Sequence, residues 1–199
     1  MPSMPTRTSM FPAACLTGLA LVAGGCGASG GTRSGAASSP DPFTALRAGA
    51  PPATWGVARI PTGGALYYPP GWRLARGDVG TATAIRLGAR HRIVGYLNLT
   101  PRQSTETLAD WASFRVSHNI AEGNRDVKLE GVAYGVRFRT GSGTCVRDSY
   151  TTSSRARFIE LACLVRGASA TSVIVGAAPP QAWTVTSPLL DRAISALIT

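Results

Sequence analysis

The chain has 199 residues, of which 44% are hydrophobic and 15% charged, the composition of one globular domain and not of a disordered segment. Its formal net charge is +10 and comes almost entirely from arginine, since Lys128 is the only lysine. The Ala, Gly and Arg bias matches high-GC codon usage, and the arginines are scattered. That argues against nucleic acid and leaves anionic surfaces, such as phospholipid head groups or acidic wall polymers, as the favoured contacts.

Residues 1–10 carry Arg7 and the amino terminus, and an apolar run follows from Phe11 to Ala23. At about 13 residues it falls short of the ~20 a spanning helix needs, and it has the length of a signal-peptide core. The run ends in Leu21-Val22-Ala23-Gly24-Gly25-Cys26. Small residues immediately before a cysteine resemble the lipobox of bacterial lipoproteins, although Ala23 stands where leucine is commonest. The resemblance implies a signal peptide over 1–25, a diacylglycerol on the Cys26 thiol, and membrane lipid as a partner through that anchor. The protein would then sit on the extracytoplasmic face of the cell membrane. The alternative is an ordinary secretory signal cut near Ala28, with Cys26 discarded. Residues 26–53 are rich in Gly, Ala, Ser and Pro and read as a tether. As a flexible coil of about 27 residues it reaches roughly 30 Å, with at most a local turn at Phe43–Arg47.

One domain is expected over 54–199. Trp55–Ile60 reads as a short strand, Tyr67–Trp72 as a strand running into a Pro-Gly turn, and Thr81–Leu87 and Arg92–Thr100 as further strands. The period then changes. Leu108, Ala112, Val116 and Ile120 form an apolar stripe at i, i+4 spacing, predicting a helix over Ser104–Ile120 capped by Ser104 or Thr105 and stopped by Glu122-Gly123-Asn124. Val127–Leu129 and Ala133–Arg139 are short β segments. Thr144–Thr152 and Arg157–Arg166 form a hairpin about Ser153-Ser154, and Ser172–Ala177 is an apolar strand. Ser187-Pro188 is a good N-cap and first-turn pair for a terminal helix striped by Leu189/Leu190, Ala193/Ile194 and Leu197/Ile198.

Hairpin strands beside segregated helices indicate an α+β fold with a central antiparallel sheet. The order resembles the PsbP-like domain, an α-β-α sandwich. The likeness rests on Tyr68-Pro69-Pro70-Gly71-Trp72, the helix near Trp111, the strand end Leu161-Ala162-Cys163-Leu164-Val165, and the terminal helix from Ser187. It covers most of 54–199 and implies a protein that binds partners or assists complexes and is not an enzyme.

The polar inventory is thin. His118 lies near a helix end, where positive charge is favourable, and His91 sits among arginines in a solvated turn; neither has the spacing of a zinc ligand, so no metal and no cofactor is expected. Gly141-Ser142-Gly143 lacks the strand–Ser–helix context of a nucleophile elbow. Ser142, His118 and Asp148 can be drawn as a triad only on paper, so no catalytic residue is assigned. Arg137 and Arg139 share one strand face, Arg155 and Arg157 lie at the hairpin turn, and Arg147 and Arg166 lie further along it. If these strands are neighbours the guanidinium groups form a patch for carboxylate or phosphate; the plainer reading is a solvated face partly neutralised by Glu130, Asp148 and Glu160.

Cysteine arithmetic is sharper. With Cys15 lost in the signal peptide and Cys26 consumed by lipid, Cys145 and Cys163 remain, symmetric about Ser154. In an oxidising compartment they are expected to form a disulfide, the alternative being two buried thiols. The same register sets Asp148 opposite Glu160, which is unfavourable unless a nearby arginine or a bulge relieves it. The expected function is a binding or accessory module of the cell envelope, holding an envelope protein or an anionic envelope component. A structural lipoprotein stabilising an envelope complex is the second reading, and an envelope hydrolase the third.

Overall fold

The computed structural model describes residues 41–199. The expected signal peptide, Cys26 and the first part of the expected tether lie outside the described residues.

Nine strands and two helices form the packed body. Strands β1 (Gly56–Arg59) and β2 (Ala65–Tyr68) make a separate antiparallel ribbon. The main sheet has seven strands: β3 (Arg73–Ala75), β4 (Ala82–Leu87), β5 (Ile93–Pro101), β6 (Arg125–Arg137), β7 (Gly141–Thr151), β8 (Arg157–Gly167) and β9 (Thr171–Ala178). Their order is β3-β4-β5-β9-β8-β7-β6, antiparallel throughout. Helices α1 (Trp111–Ala121) and α2 (Pro180–Ser195) complete an α+β fold.

Side-chain alternation along the central strands divides the core into two layers. On one face α2 packs Leu190, Ala193 and Ile194, with Leu197 just beyond, against Leu97, Leu161, Cys163 and Ile174, all of them buried. On the other face Trp111 leads α1 onto Val146, Ala162, Leu164, Val173 and Val175. Because β8 and β9 are covered on both sides, their sequences read as nearly continuous apolar runs. Each fully buried Leu or Ile contributes roughly 1.5–3 kcal/mol. Glycine allows one close approach. A Cβ on Gly95 would lie 2.6 Å from the Trp72 ring, so this bare position in β5 lets the indole approach the strand closely.

Several boundaries differ from those expected. The packed body begins upstream of 54: Phe43 and Leu46 are buried in the α2-side core, the Arg47 N–H donates to Ser195 Oγ at 3.1 Å, and Phe43 covers Gly131. This strap uses two apolar side chains in a run whose composition alone reads as coil. Helix α1 starts at Trp111 and not at Ser104, because Glu106 folds the preceding segment into a turn, its carboxylate accepting the Gln103 and Ser104 N–H groups at 2.9 Å each. Helix α2 starts at Pro180, with Pro188 in its interior and not at its first turn. Trp183 and Thr186 pack on the sheet, and the Thr186 hydroxyl donates to the Val94 carbonyl, so tertiary contacts carry the helix across the proline. Val127–Leu129 and Ala133–Arg139 fall mostly in the single strand β6, interrupted by three register shifts.

The hairpin forms in the expected register. Cys145 faces Cys163 directly and the two are joined by a disulfide, closing a loop with a sequence separation of 18.

Candidate functional site

The stripe of α1 that meets the sheet is Trp111, Arg115 and Asn119, at i, i+4, i+8. Of the apolar stripe read from the sequence, Leu108 and Ala112 pack beside this line against the same core, while its last member, Ile120, is 58% exposed. Trp111 Nε1–H donates to the Ala162 carbonyl at 2.9 Å and fixes the start of the helix over β8. Arg115 Nε donates to Glu160 Oε1 at 2.6 Å, and Tyr150 Oη donates to Glu160 Oε2 at 3.1 Å. Asn119 Nδ2 donates to Asp148 Oδ2 at 3.3 Å, leaving Asp148 Oδ1 buried without a partner. Asp148 and Glu160 are direct cross-strand partners, 0% and 1% exposed. The like-charge conflict anticipated in this register is met by Arg115, reaching across from the helix.

The electrostatics follow from this burial. Desolvation, reinforced by the Glu160 charge and opposed by Arg115, pushes the Asp148 carboxyl from 3.8 up to about 8, so it is mainly neutral at pH 7. Burial and Glu160 likewise push the Tyr96 phenol up to about 12 and raise that of Tyr150 further. On the opposite face burial lifts Asp191 to about 6 against the pull of Arg147.

Above this network, between α1 and the sheet, lies a cavity of about 320 Å³. One wall is the α1 stack, with Trp111 and Phe114 ring centroids 5.6 Å apart and Phe114 and His118 at 5.7 Å. The facing wall is Tyr96 with the stacked pair Tyr150 and Phe158, centroids 6.1 Å apart. Asn98 and Thr100 add polar atoms from β5. Aromatic walls over a few fixed polar groups are the usual make-up of a small-molecule site. Sequence reasoning missed Arg115, Asn119, Tyr96, Phe114 and Phe158. The one available signal was the Asp148–Glu160 pairing, which called for a cation from elsewhere.

The arginines are not gathered into one patch. Strand alternation puts Arg147 and Arg157 on the α2 face and Arg137 and Arg166 on the α1 face. Arg147 lies 2.9 Å from Glu130 and 5.2 Å from the Trp183 ring centroid. Arg155 occupies the hairpin turn with φ of 65°, and Arg139 lies beyond the end of β6, exposed like Arg137. Arg137 and Arg166 flank Ser142 in register. The paper triad is not assembled: Asp148 bonds Asn119, His118 pairs with Glu122 at 3.0 Å, and Ser142 lies at the far end of β7. His91 is exposed, as read. Among the described residues no cluster of His, Cys, Asp and Glu is placed to hold a metal ion.

No family model and no curated protein matches the chain. Solved structures do. CyanoP, the cyanobacterial PsbP of Synechocystis sp. PCC 6803, superposes with a TM-score of 0.53 at 16% identity, over 74% of this chain and 93% of that one. The fold is PsbP-like. Less similar are PA94, a protein of unknown function from Pseudomonas aeruginosa (TM-score 0.47, 11% identity, 73% of this chain and 96% of that one), and LpqN, involved in cell envelope biogenesis of Mycobacterium tuberculosis (0.41, 14%, 71% and 86%). None of the described helices is long and apolar enough to cross a membrane.

Proposed function

We propose that this PsbP-like domain is a binding module of the cell envelope, tethered through a lipid on Cys26, which uses the groove between α1 and the sheet to hold a ligand and performs no chemistry on it. The observation that carries this reading is the buried Arg115–Glu160–Tyr150 network under an aromatic-walled cavity. Stability alone does not call for it. The α2 face closes the same sheet with a mainly apolar layer, and a buried ion pair is commonly no better than well-packed hydrophobic residues. A polar floor held rigid by hydrogen bonds at both carboxylate oxygens is instead suited to orienting a bound molecule.

The test has two arms. Metabolic labelling with radioactive palmitate should mark the wild-type protein and leave Cys26→Ser unlabelled. NMR titration of the mature Cys26→Ser chain with envelope extracts should shift resonances of Tyr96, Phe114, Thr152 and Phe158. Shifts confined to residues outside the groove would remove the groove reading, and an unlabelled wild type would remove the anchor.

A second reading is a structural role in an envelope complex. It is favoured by Ile120, Leu129 and Tyr134, which are 58%, 40% and 66% exposed on α1 and the edge strand β6. In that case the titration would move those residues.

A further inference from the structure

The charge of the groove runs against the charge of the molecule. The chain carries 20 Lys and Arg against 10 Asp and Glu. The groove is lined by four carboxylates, from Asp78, Glu106, Glu122 and Glu160, and by one guanidinium, Arg115. That guanidinium is engaged by Glu160, and the His118 imidazole meets Glu122 at 3.0 Å, which leaves Asp78 and Glu106 with no lining arginine, lysine or histidine paired to them and the groove with more carboxylates than basic groups. Asp78 and Glu122 are exposed at the rim, while Glu106 is 3% exposed and held by two backbone N–H groups.

Aromatic rings form both walls. Tyr96, Tyr150 and Phe158 stand on the sheet side, and Trp111 and Phe114 on the helix side. The faces of such rings carry negative electrostatic potential and attract cations, the more so where water is excluded. An anion entering here would meet both the rings and the carboxylates with the wrong sign. A neutral molecule would gain only from burial.

We infer that the groove takes a small amphiphilic organic cation, an amine or quaternary ammonium group on an apolar body, with the ammonium between the aromatic walls and the carboxylate rim. This rests on the groove being the ligand site, and it specifies the chemistry of what enters. The +10 chain thus presents an acidic, aromatic cleft, so its basic exterior and its binding site select for opposite charges.

The experiment compares three probes that share one ring: benzyltrimethylammonium, benzyl alcohol and phenylacetate. Each is titrated into the mature Cys26→Ser chain and read by NMR shifts of Phe114 and Phe158. Benzyltrimethylammonium should bind about tenfold more tightly than benzyl alcohol, and phenylacetate more weakly than either. The rim variant Asp78→Asn/Glu122→Gln changes two exposed side chains and should leave the fold intact. It should weaken the cation several-fold and leave benzyl alcohol unchanged. Phenylacetate binding as tightly as the ammonium, or a rim variant without effect on the cation, would overturn the charge inference while leaving the groove as a site. Absence of groove shifts with all three probes at millimolar concentration would remove the groove reading itself.

Discussion

Arg115→Met tests the network at its centre. The substitution keeps an unbranched apolar stem of similar reach, so it opens little cavity. It removes the 2.6 Å bond to Glu160 Oε1 and leaves Glu160 and Asp148, 1% and 0% exposed, facing each other with no cation between them. Deleting one partner of a buried ion pair costs about 3–5 kcal/mol. In a domain of this size each kcal/mol moves Tm by about 2–4 °C, so Tm should fall by about 6–20 °C. Urea unfolding at pH 7 measures the loss. Arg115→Met/Glu160→Gln, which removes the orphaned charge as well, should recover more than half of it. A deficit below about 1 kcal/mol at pH 7, or a double variant no more stable than the single one, would refute the view that Arg115 is present to neutralise a buried carboxylate.

Three further outcomes follow from the same geometry. Because burial lifts Asp148 from 3.8 to about 8, its folded state holds a proton that the unfolded state loses near pH 4, so stability should decline as pH rises from 5 to 8. Asp191, lifted to about 6, adds to the lower part of that window. Asp148→Asn should flatten the slope, and a wild type that grows more stable between pH 5 and 8 would contradict it. Reducing the Cys145–Cys163 bridge releases a loop of sequence separation 18, and on the chain-entropy model should lower stability by about 3 kcal/mol, read as a lower urea midpoint in dithiothreitol. Phe43→Ala removes a ring buried against Gly131 and should cost about 3 kcal/mol; a loss under about 0.5 kcal/mol would show that the strap does not pack as described.

What could be read in the chain itself was whatever local periodicity controls. Strand alternation placed β7 and β8, and the turn between them set their register, because a hairpin of equal arms leaves one pairing when one face must be buried. That register put Cys145 on Cys163 and Asp148 on Glu160, and so implied both the disulfide and an electrostatic conflict needing an outside cation. The α+β class followed from the same segregation of periods.

The tertiary structure decided what depends on contacts distant in sequence. The sheet-facing side of α1 is Trp111 followed by Arg115 and Asn119, and no hydrophobic stripe reveals the two polar residues, because their burial is stabilised by partners on β7 and β8. Helix α2 crosses Pro188, and the Phe43 strap is ordered, because packing outweighs local preference at both places. Strand alternation divided the arginines of β6, β7 and β8 between the two faces, Arg147 and Arg157 on one and Arg137 and Arg166 on the other. The groove exists only once α1 is laid across the sheet, so its aromatic walls and acidic rim are assembled from β5, α1, β7, β8 and the turn before β4, which no stretch of sequence holds together.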